Sequence, residues 1–527
     1  MDECRAELRR LADTLPGPEV ERVLRYARGL ADTDDGSPLP ADEIAEAVSR
    51  GDLAEASRLA IVHWDGREMV GIDRLAGVLE SLPLRQLRRF PVLAMVLALH
   101  YRSRPGRSLR SGELFALAVA SARLSTKQPA DTRALIGVIE TGALRSLGLQ
   151  DAALAAARRA ERLLERADAV PMEAPQLPKV AALADPHLAI TYFNCGRWPQ
   201  GRDAAERGYQ RPGTAGEINA FHSLALMAGM YALGGEMTLA AALATDARAR
   251  RAAYPDFDGY HGAYLRIAES LLALDGDDVA AAREALAGLG PHLTTIEHWP
   301  VIAMIEGRIG AAEQDPVRAE AQMAALLTRG ARPPATPYLR ALFDSVRALL
   351  LTASGRPNLA LDLMRRHPAS VPEVVSEIAR AQLHMGRSDQ AERALAALRS
   401  SNTPVVVRTR VEQLILSAQA AEHLGDRSRA GRIRDQAAGL ASAHGMALRT
   451  RHLPDPADAA PTTELTRAER AVLNLLAAGA TRPEIAAQLF VSQETIKSHL
   501  RSIYRKLGVG SRTDAVRVAH ERWLLDQ

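Results

Sequence analysis

Between Thr495 and Thr513 the chain carries five basic residues, Lys497, Arg501, Arg505, Lys506 and Arg512, and no acidic one. Cationic side chains at that density suit a polyanion. At about 100° per residue, Lys497, Ser498, Arg501 and Arg505 share one face of a helix, and Ile496, Leu500, Ile503 and Leu507 share the opposite face. An apolar back with a basic, short-polar front fits the major groove of B-DNA, where base edges present a distinguishable donor and acceptor pattern. Taken alone, such a stripe is equally well read as a solvated helix face. The elements around it have to decide.

Four helices with their caps surround the stripe. The first is expected from about Arg467 to Ala478, with Thr466 and Glu469 as a capping box and Gly479 as its end. The second runs from about Arg482 to Leu489, opened by Thr481 with Glu484. Ser492 opens the third, Gln493 to Leu507, and Gly508 closes it. Ser511 opens the fourth, from Arg512 to about Arg522.

The order of residues through these helices resembles the LuxR-type helix-turn-helix domain along its whole length. The resemblance rests on Leu465-Thr466, Glu469, Val472-Leu473, Gly479, Glu484-Ile485-Ala486, Val491-Ser492, Thr495 to Leu500, Lys506 to Val509 and Arg512-Thr513. Arg467-Ala468 stands where the family often has Pro-Arg. The resemblance implies that Lys497, Ser498 and Arg501 face bases of double-stranded DNA. It puts Thr495, Arg505, Lys506, Ser511 and Arg512 near phosphates, and makes the fourth helix a dimerisation surface through Val516 and Ala519. Glu494 lies on the front face and is read as solvated.

Charge is distributed in keeping with this. From Glu464 onward there are ten Lys and Arg against seven Asp and Glu, which leaves 56 of each sign in the rest of the 527 residues. A basic module on a body of zero net charge suggests that the module meets the polyanion.

The body reads as helix after helix. Aromatics are 4% of the chain and Ala, Leu, Arg and Glu dominate, which favours helix over sheet. Gly-polar junctions recur at Gly148, Gly196, Gly235, Gly276, Gly355, Gly386 and Gly425, spaced 48, 39, 41, 79, 31 and 39 residues apart. Gln314-Asp315-Pro316 stands as a degenerate junction within the longest gap. The pattern is a helical hairpin repeated about every 40 residues, Gly capping the first helix and a small polar residue opening the second. Such hairpins stack because one alone cannot bury its apolar face. The expected fold is all-α: a tetratricopeptide-like helical-repeat superhelix, then the four-helix module. The expected domains are a poorly defined helical segment over 1–40, the array over 41–450, a Pro-rich linker over 451–463 and the module over 464–527. A break from Val170 to Pro178 reads as a loop.

The array is similar to the repeat region of the large maltose-activator-like LuxR regulators, notably through Gly51-Asp52-Leu53, Leu82-Pro83 and Arg89-Phe90-Pro91. Their ATP-binding module has no counterpart here, because no Gly-x-x-x-x-Gly-Lys-[Ser/Thr] loop occurs. No nucleotide hydrolysis, cofactor, metal or other enzymatic activity is expected. Histidines such as His187, His222 and His261 are scattered and read as structural or exposed.

Eleven of the 21 aromatics lie between Tyr192 and Trp299. Tyr254, Phe257, Tyr260 and Tyr264 form the densest group. They are read as core packing or as a wall for a small-molecule or protein effector. The two cysteines, Cys4 and Cys195, have no ligand spacing. The N-terminus shows no secretory pattern, and the longest apolar run, Val92 to Leu99, is far short of a membrane span. The expectation is a cytoplasmic bacterial regulator, a homodimer on DNA with RNA polymerase as a further contact. A repeat scaffold for protein partners, with secondary DNA binding, is the alternative.

Overall fold

The computed structural model describes residues 40–64, 72–102, 107–125, 127–167, 176–211, 216–253, 260–289, 297–328, 335–401, 403–447, 467–489, 493–507, 509 and 511–521. Among them every regular element is a helix and no strand occurs. The expected N-terminal segment and the linker lie outside the described residues, apart from Pro40.

Helices pair as hairpins. Ala130–Ser146 packs on Gln150–Ala167, Leu177–Asn194 on Trp198–Gln210, Ala263–Asp275 on Val279–Ala287, Trp299–Ala312 on Pro316–Thr328, Pro372–His384 on Ser388–Arg399, and Val407–His423 on Arg427–Ala443. First helices also touch the next hairpin's first helix, as Ala130–Ser146 does with Leu177–Asn194 and Pro372–His384 with Val407–His423.

The junctions share one hydrogen-bond device. A residue in the left-handed region ends the first helix, and the next amide donates five residues back. Arg197 N reaches Tyr192 O (2.8 Å), Arg356 N reaches Leu351 O (2.8 Å), Arg387 N reaches Gln382 O (2.9 Å) and Asp426 N reaches Ala421 O (2.9 Å). These bonds satisfy carbonyls that a helix end leaves open. Glycine fills the left-handed position at six of the seven expected glycine junctions. At the seventh it is Asp277 (φ 68°), not Gly276, and at the degenerate junction it is Gln314 (φ 59°).

The opening residues split into two kinds. Asp52, Asp278, Asp315 and Asp426 accept from the amide three residues on, at 2.9 to 3.2 Å. Arg197, Arg356 and Arg387 stand in the same position without a side-chain cap. After Arg197 and Arg356 a proline occupies the first turn, where its missing N–H leaves no bond unmade. Pro178 likewise sits in the first turn of Leu177–Asn194, so the expected loop stops short of it.

The packing divides into two compact units. One comprises Met1–Met227, Asp246–Gly262 and Pro333–Pro337; the other comprises Ala228–Thr245, Ala263–Arg332 and Tyr338–Gln527. In the second unit the end of the array is tied to residues far back in the chain. Thr238 N donates to His444 O (3.2 Å), Ala447 N to Asp275 Oδ2 (2.9 Å) and Arg408 Nη2 to Ala232 O (2.9 Å).

That unit also buries charge. Arg380, 2% exposed, donates to Glu377 at 3.0 Å, and Glu373 accepts from Thr409 at 2.8 Å. Burial raises both carboxyl pKa values and lowers that of Arg408 to about 10. In the first unit, buried Asp185 is held by Arg211 (2.6 Å) and Arg207 (3.3 Å). Cys195 is buried there, and desolvation pushes its thiol up to about 12, which keeps it protonated and unreactive.

Candidate nucleic-acid interface

The C-terminal module has four helices, Arg467–Ala477, Arg482–Gln488, Gln493–Leu507 and Arg512–Glu521. Their bounds follow the capping chemistry. The amide and hydroxyl of Thr481 both donate to Glu484 Oε2, at 2.7 and 2.8 Å. Those bonds hold the Glu484 carboxyl below its usual pKa. Ser511 Oγ accepts from Asp514 N (3.1 Å) and donates to Asp514 Oδ2 (2.6 Å), which lowers the Asp514 pKa. Gly479 (φ 90°) ends the first helix in the left-handed region. The caps at Thr466 and Ser492, with Gly508, lie outside the described residues.

The third helix is placed by its apolar back. Ile496, Leu500, Ile503 and Leu507 are buried in one cluster with Val472, Leu473, Leu476, Ile485, Ala515 and Val518. The first, second and fourth helices all pack on this third one or on each other. With that stripe inward, the opposite side faces away from the core, and Lys497, on its flank, is exposed. Thr495, Ser498, Arg501, Arg505 and Lys506 lie along the same helix. Their side chains, with that of Glu494, are outside the described residues. Tyr504 was not singled out from the sequence. It is half-buried against the core, four residues after Leu500, a spacing that marks it as a neighbour of the buried stripe.

Two of the residues assigned to phosphates already have partners in the module. Ser511 is the cap just described. Arg512 is exposed, and its Nη2 donates to Leu476 O at 3.1 Å, tying the fourth helix to the end of the first. The remaining guanidinium donors of Arg512 point to no described acceptor.

The dimerisation assignment needs correction at Ala519. Ala515, Val518 and Ala519, spaced at three and four, form the inner stripe of the fourth helix, and Ala519 is fully buried in the module's own core. Val516 is half-buried and packs at the edge of that core. The outer face of this helix carries Thr513 and Arg517 beside it.

The aromatic group of the array divides. Tyr254 and Phe257 lie outside the described residues. Tyr264 is fully buried, packed edge-on against His298 (5.0 Å). A Cβ at Gly229 would stand 2.6 Å from the Tyr264 ring, so only glycine allows that approach. Tyr264 is therefore core. Tyr260 is half-buried in a ring cluster with His222 (5.6 Å), His261 (5.5 Å) and His187 (6.4 Å). The histidines that looked scattered in the sequence are thus gathered. Among the described residues no group of His, Cys, Asp and Glu has metal-binding geometry.

The second and third helices pack on each other, with the third's apolar stripe in the core and Lys497 exposed, as in a helix-turn-helix domain. Residues 463–519 match the family model described as "Bacterial regulatory proteins, luxR family", so the module is a LuxR-type helix-turn-helix domain. Two relatives are both described as "Probable transcriptional regulatory protein NarL". They come from Mycobacterium tuberculosis strains CDC 1551 / Oshkosh and ATCC 25618 / H37Rv. Each is 46% identical over 69 residues, 13% of this chain and 32% of the relative. The chain therefore spans about a third of the length of these relatives. No helix among the described residues is long and apolar enough to cross a membrane.

Proposed function

We propose that this chain is a cytoplasmic transcription regulator that reads operator DNA with the helix Gln493–Leu507. Lys497, Ser498 and Arg501 read base edges, and Thr495, Arg505, Lys506 and Arg512 contact phosphates. Ser511 holds the fourth helix in place beside them. The observation that carries the reading is the orientation of this helix: its apolar stripe is sunk in the core of a LuxR-type domain, which turns the basic face outward.

The chain acts as a homodimer on paired half-sites, the fourth helices meeting along the face that carries Thr513, Val516 and Arg517. The array receives a small-molecule or protein signal, RNA polymerase is contacted at the promoter, and no catalytic turnover is involved. Genome-wide mapping of DNA bound by the full chain tests this. A recurring motif of two half-sites, lost in Lys497→Ala/Arg501→Ala, is the expected result. Bound sites without a common motif, or unchanged by the double substitution, would refute it.

A further inference from the structure

The first unit contains a cleft of about 830 Å³, within the range of small-molecule sites. Arg85, Arg88, Arg89 and Lys127 line it, and no carboxylate does. The three arginines sit at i, i+3 and i+4 on the short helix Leu84–Arg89, so their side chains share one face, and all three are exposed. Among the described residues none of the four cations is paired with a carboxylate. Like charges at that spacing repel one another. Arg88 and Arg89 are favourable at a helix C-terminus, but that leaves Arg85 and Lys127 on the same cleft unexplained.

The rest of the lining sets the shape of an occupant. Phe90, Leu117 and Leu124 give the cleft an apolar wall. Ser57 Oγ, on the helix Leu53–Val62, is buried there without a hydrogen-bond partner among the described residues. A buried hydroxyl left unpaired is unfavourable unless a ligand completes it. The sequence concentrates positive charge here as well: between Glu80 and Asp131 there are nine Lys and Arg and one acidic residue, Glu113.

We infer that this cleft is a binding site for a small organic phosphate with an apolar or aromatic body. The arginine face takes the phosphate, since guanidinium forks match its oxygens. The apolar wall takes the body, and Ser57 bonds to a polar atom of the ligand. That occupancy serves as the input to the array rests on the signal-receiving role proposed above; the binding itself does not.

Calorimetry on the full-length protein, without DNA, tests the site with 1-naphthyl phosphate, 1-naphthol and inorganic phosphate. One molecule of naphthyl phosphate is expected per chain. Arg88→Glu/Arg89→Glu is expected to weaken it by about tenfold or more in a chain that still melts as a folded protein, its melting temperature lowered only slightly by the reversed helix-end charges, and Ser57→Ala to weaken it by a few-fold. Naphthol binding as tightly as the phosphate would reduce the cleft to an apolar crevice, and inorganic phosphate binding as tightly would reduce it to an anion patch. Either result overturns the inference. So would no binding, binding unchanged by the charge reversal, or an equal affinity for an Asp/Glu-rich peptide. A charge reversal that weakens duplex DNA in a gel shift as much as Lys497→Ala would make the cleft part of the DNA surface instead. Gel shifts with and without naphthyl phosphate read the signalling role separately. No effect there, with calorimetric binding intact, keeps the cleft and overturns only the signal-receiving role.

Discussion

The C-terminal module and the second unit's part of the helical array fill their interiors in different ways. The module's core around Ile496, Leu500 and Ile503 is apolar, with Glu469 the buried charged residue among those described. Its other described charges are partly or fully exposed, which is where a polyanion can meet them. The array instead buries Glu377 and Arg380, and within the same unit desolvation raises the pKa of half-buried Glu373 and depresses that of Arg408. An apolar core tolerates small changes of shape, whereas a buried charge is tolerated only with its partner in place. The module is thus specified by pattern, and this part of the array by pairing.

The comparison can be broken most forcefully at the buried pair. Glu377→Gln strands the Arg380 guanidinium and is expected to destabilise the array by about 3–5 kcal/mol. Replacing both residues with apolar ones of similar volume is expected to be near neutral; denaturant melts of the single and double variants check both. If the single change were silent, pairing would not be what specifies the array.

Ile503→Ala applies the same test to the module. It removes a fully buried side chain, at about 2–5 kcal/mol. Limited proteolysis is expected to release the module while the array keeps its melting transition.

Next in size is Lys497→Ala, which is expected to reduce discrimination between operator and scrambled duplex by about 1–3 kcal/mol with folding unchanged. Competition gel shifts measure that ratio.

The smallest effects concern acid, and they have opposite signs in the two regions. Hydrogen bonds from Thr481 depress the Glu484 pKa, so its contribution is present above pH 4.5 and is lost as the pH falls through the folded value. Burial raises the Glu373 pKa, so its ionisation opposes folding above the folded value, and that penalty disappears on acidification. Glu484→Gln is expected to flatten the acid loss of module stability. Glu373→Gln is expected to stabilise the array at neutral pH, with the gain vanishing in acid. Melting curves across pH for both variants decide whether the two regions differ in this way.

What the sequence made legible follows the same division. Helix ends in the module and most array junctions are local chemistry: a left-handed residue, a cap, a proline in the first turn. They could be read residue by residue. The junctions at Gly276 and at Gln314-Asp315-Pro316 were legible too, but Asp277 as the left-handed residue was not, because a rule built on glycine does not expect Asp at positive φ. Glu377 and Arg380, three apart on a helix, have the spacing of a solvent-facing pair. Their burial is imposed by packing that spacing cannot reveal. Ala519 came to dimerisation through the family resemblance alone, and its burial with Ala515 and Val518 shows only once the fourth helix is packed. The cationic cleft was hidden by summing charge over the whole body, where the excess between Glu80 and Asp131 is cancelled by acidic residues elsewhere.

The central claim is that the outward face of Gln493–Leu507 reads DNA. A gel-shift titration of the full-length chain on its mapped operator, across a series of salt concentrations, tests it most directly. Lys497→Ala and Arg501→Ala are expected to weaken operator binding while leaving scrambled duplex nearly unaffected. Arg505→Ala is expected to weaken both alike and to reduce the salt slope by about one. Operator affinity and salt slope unchanged in all three folded variants would contradict the account.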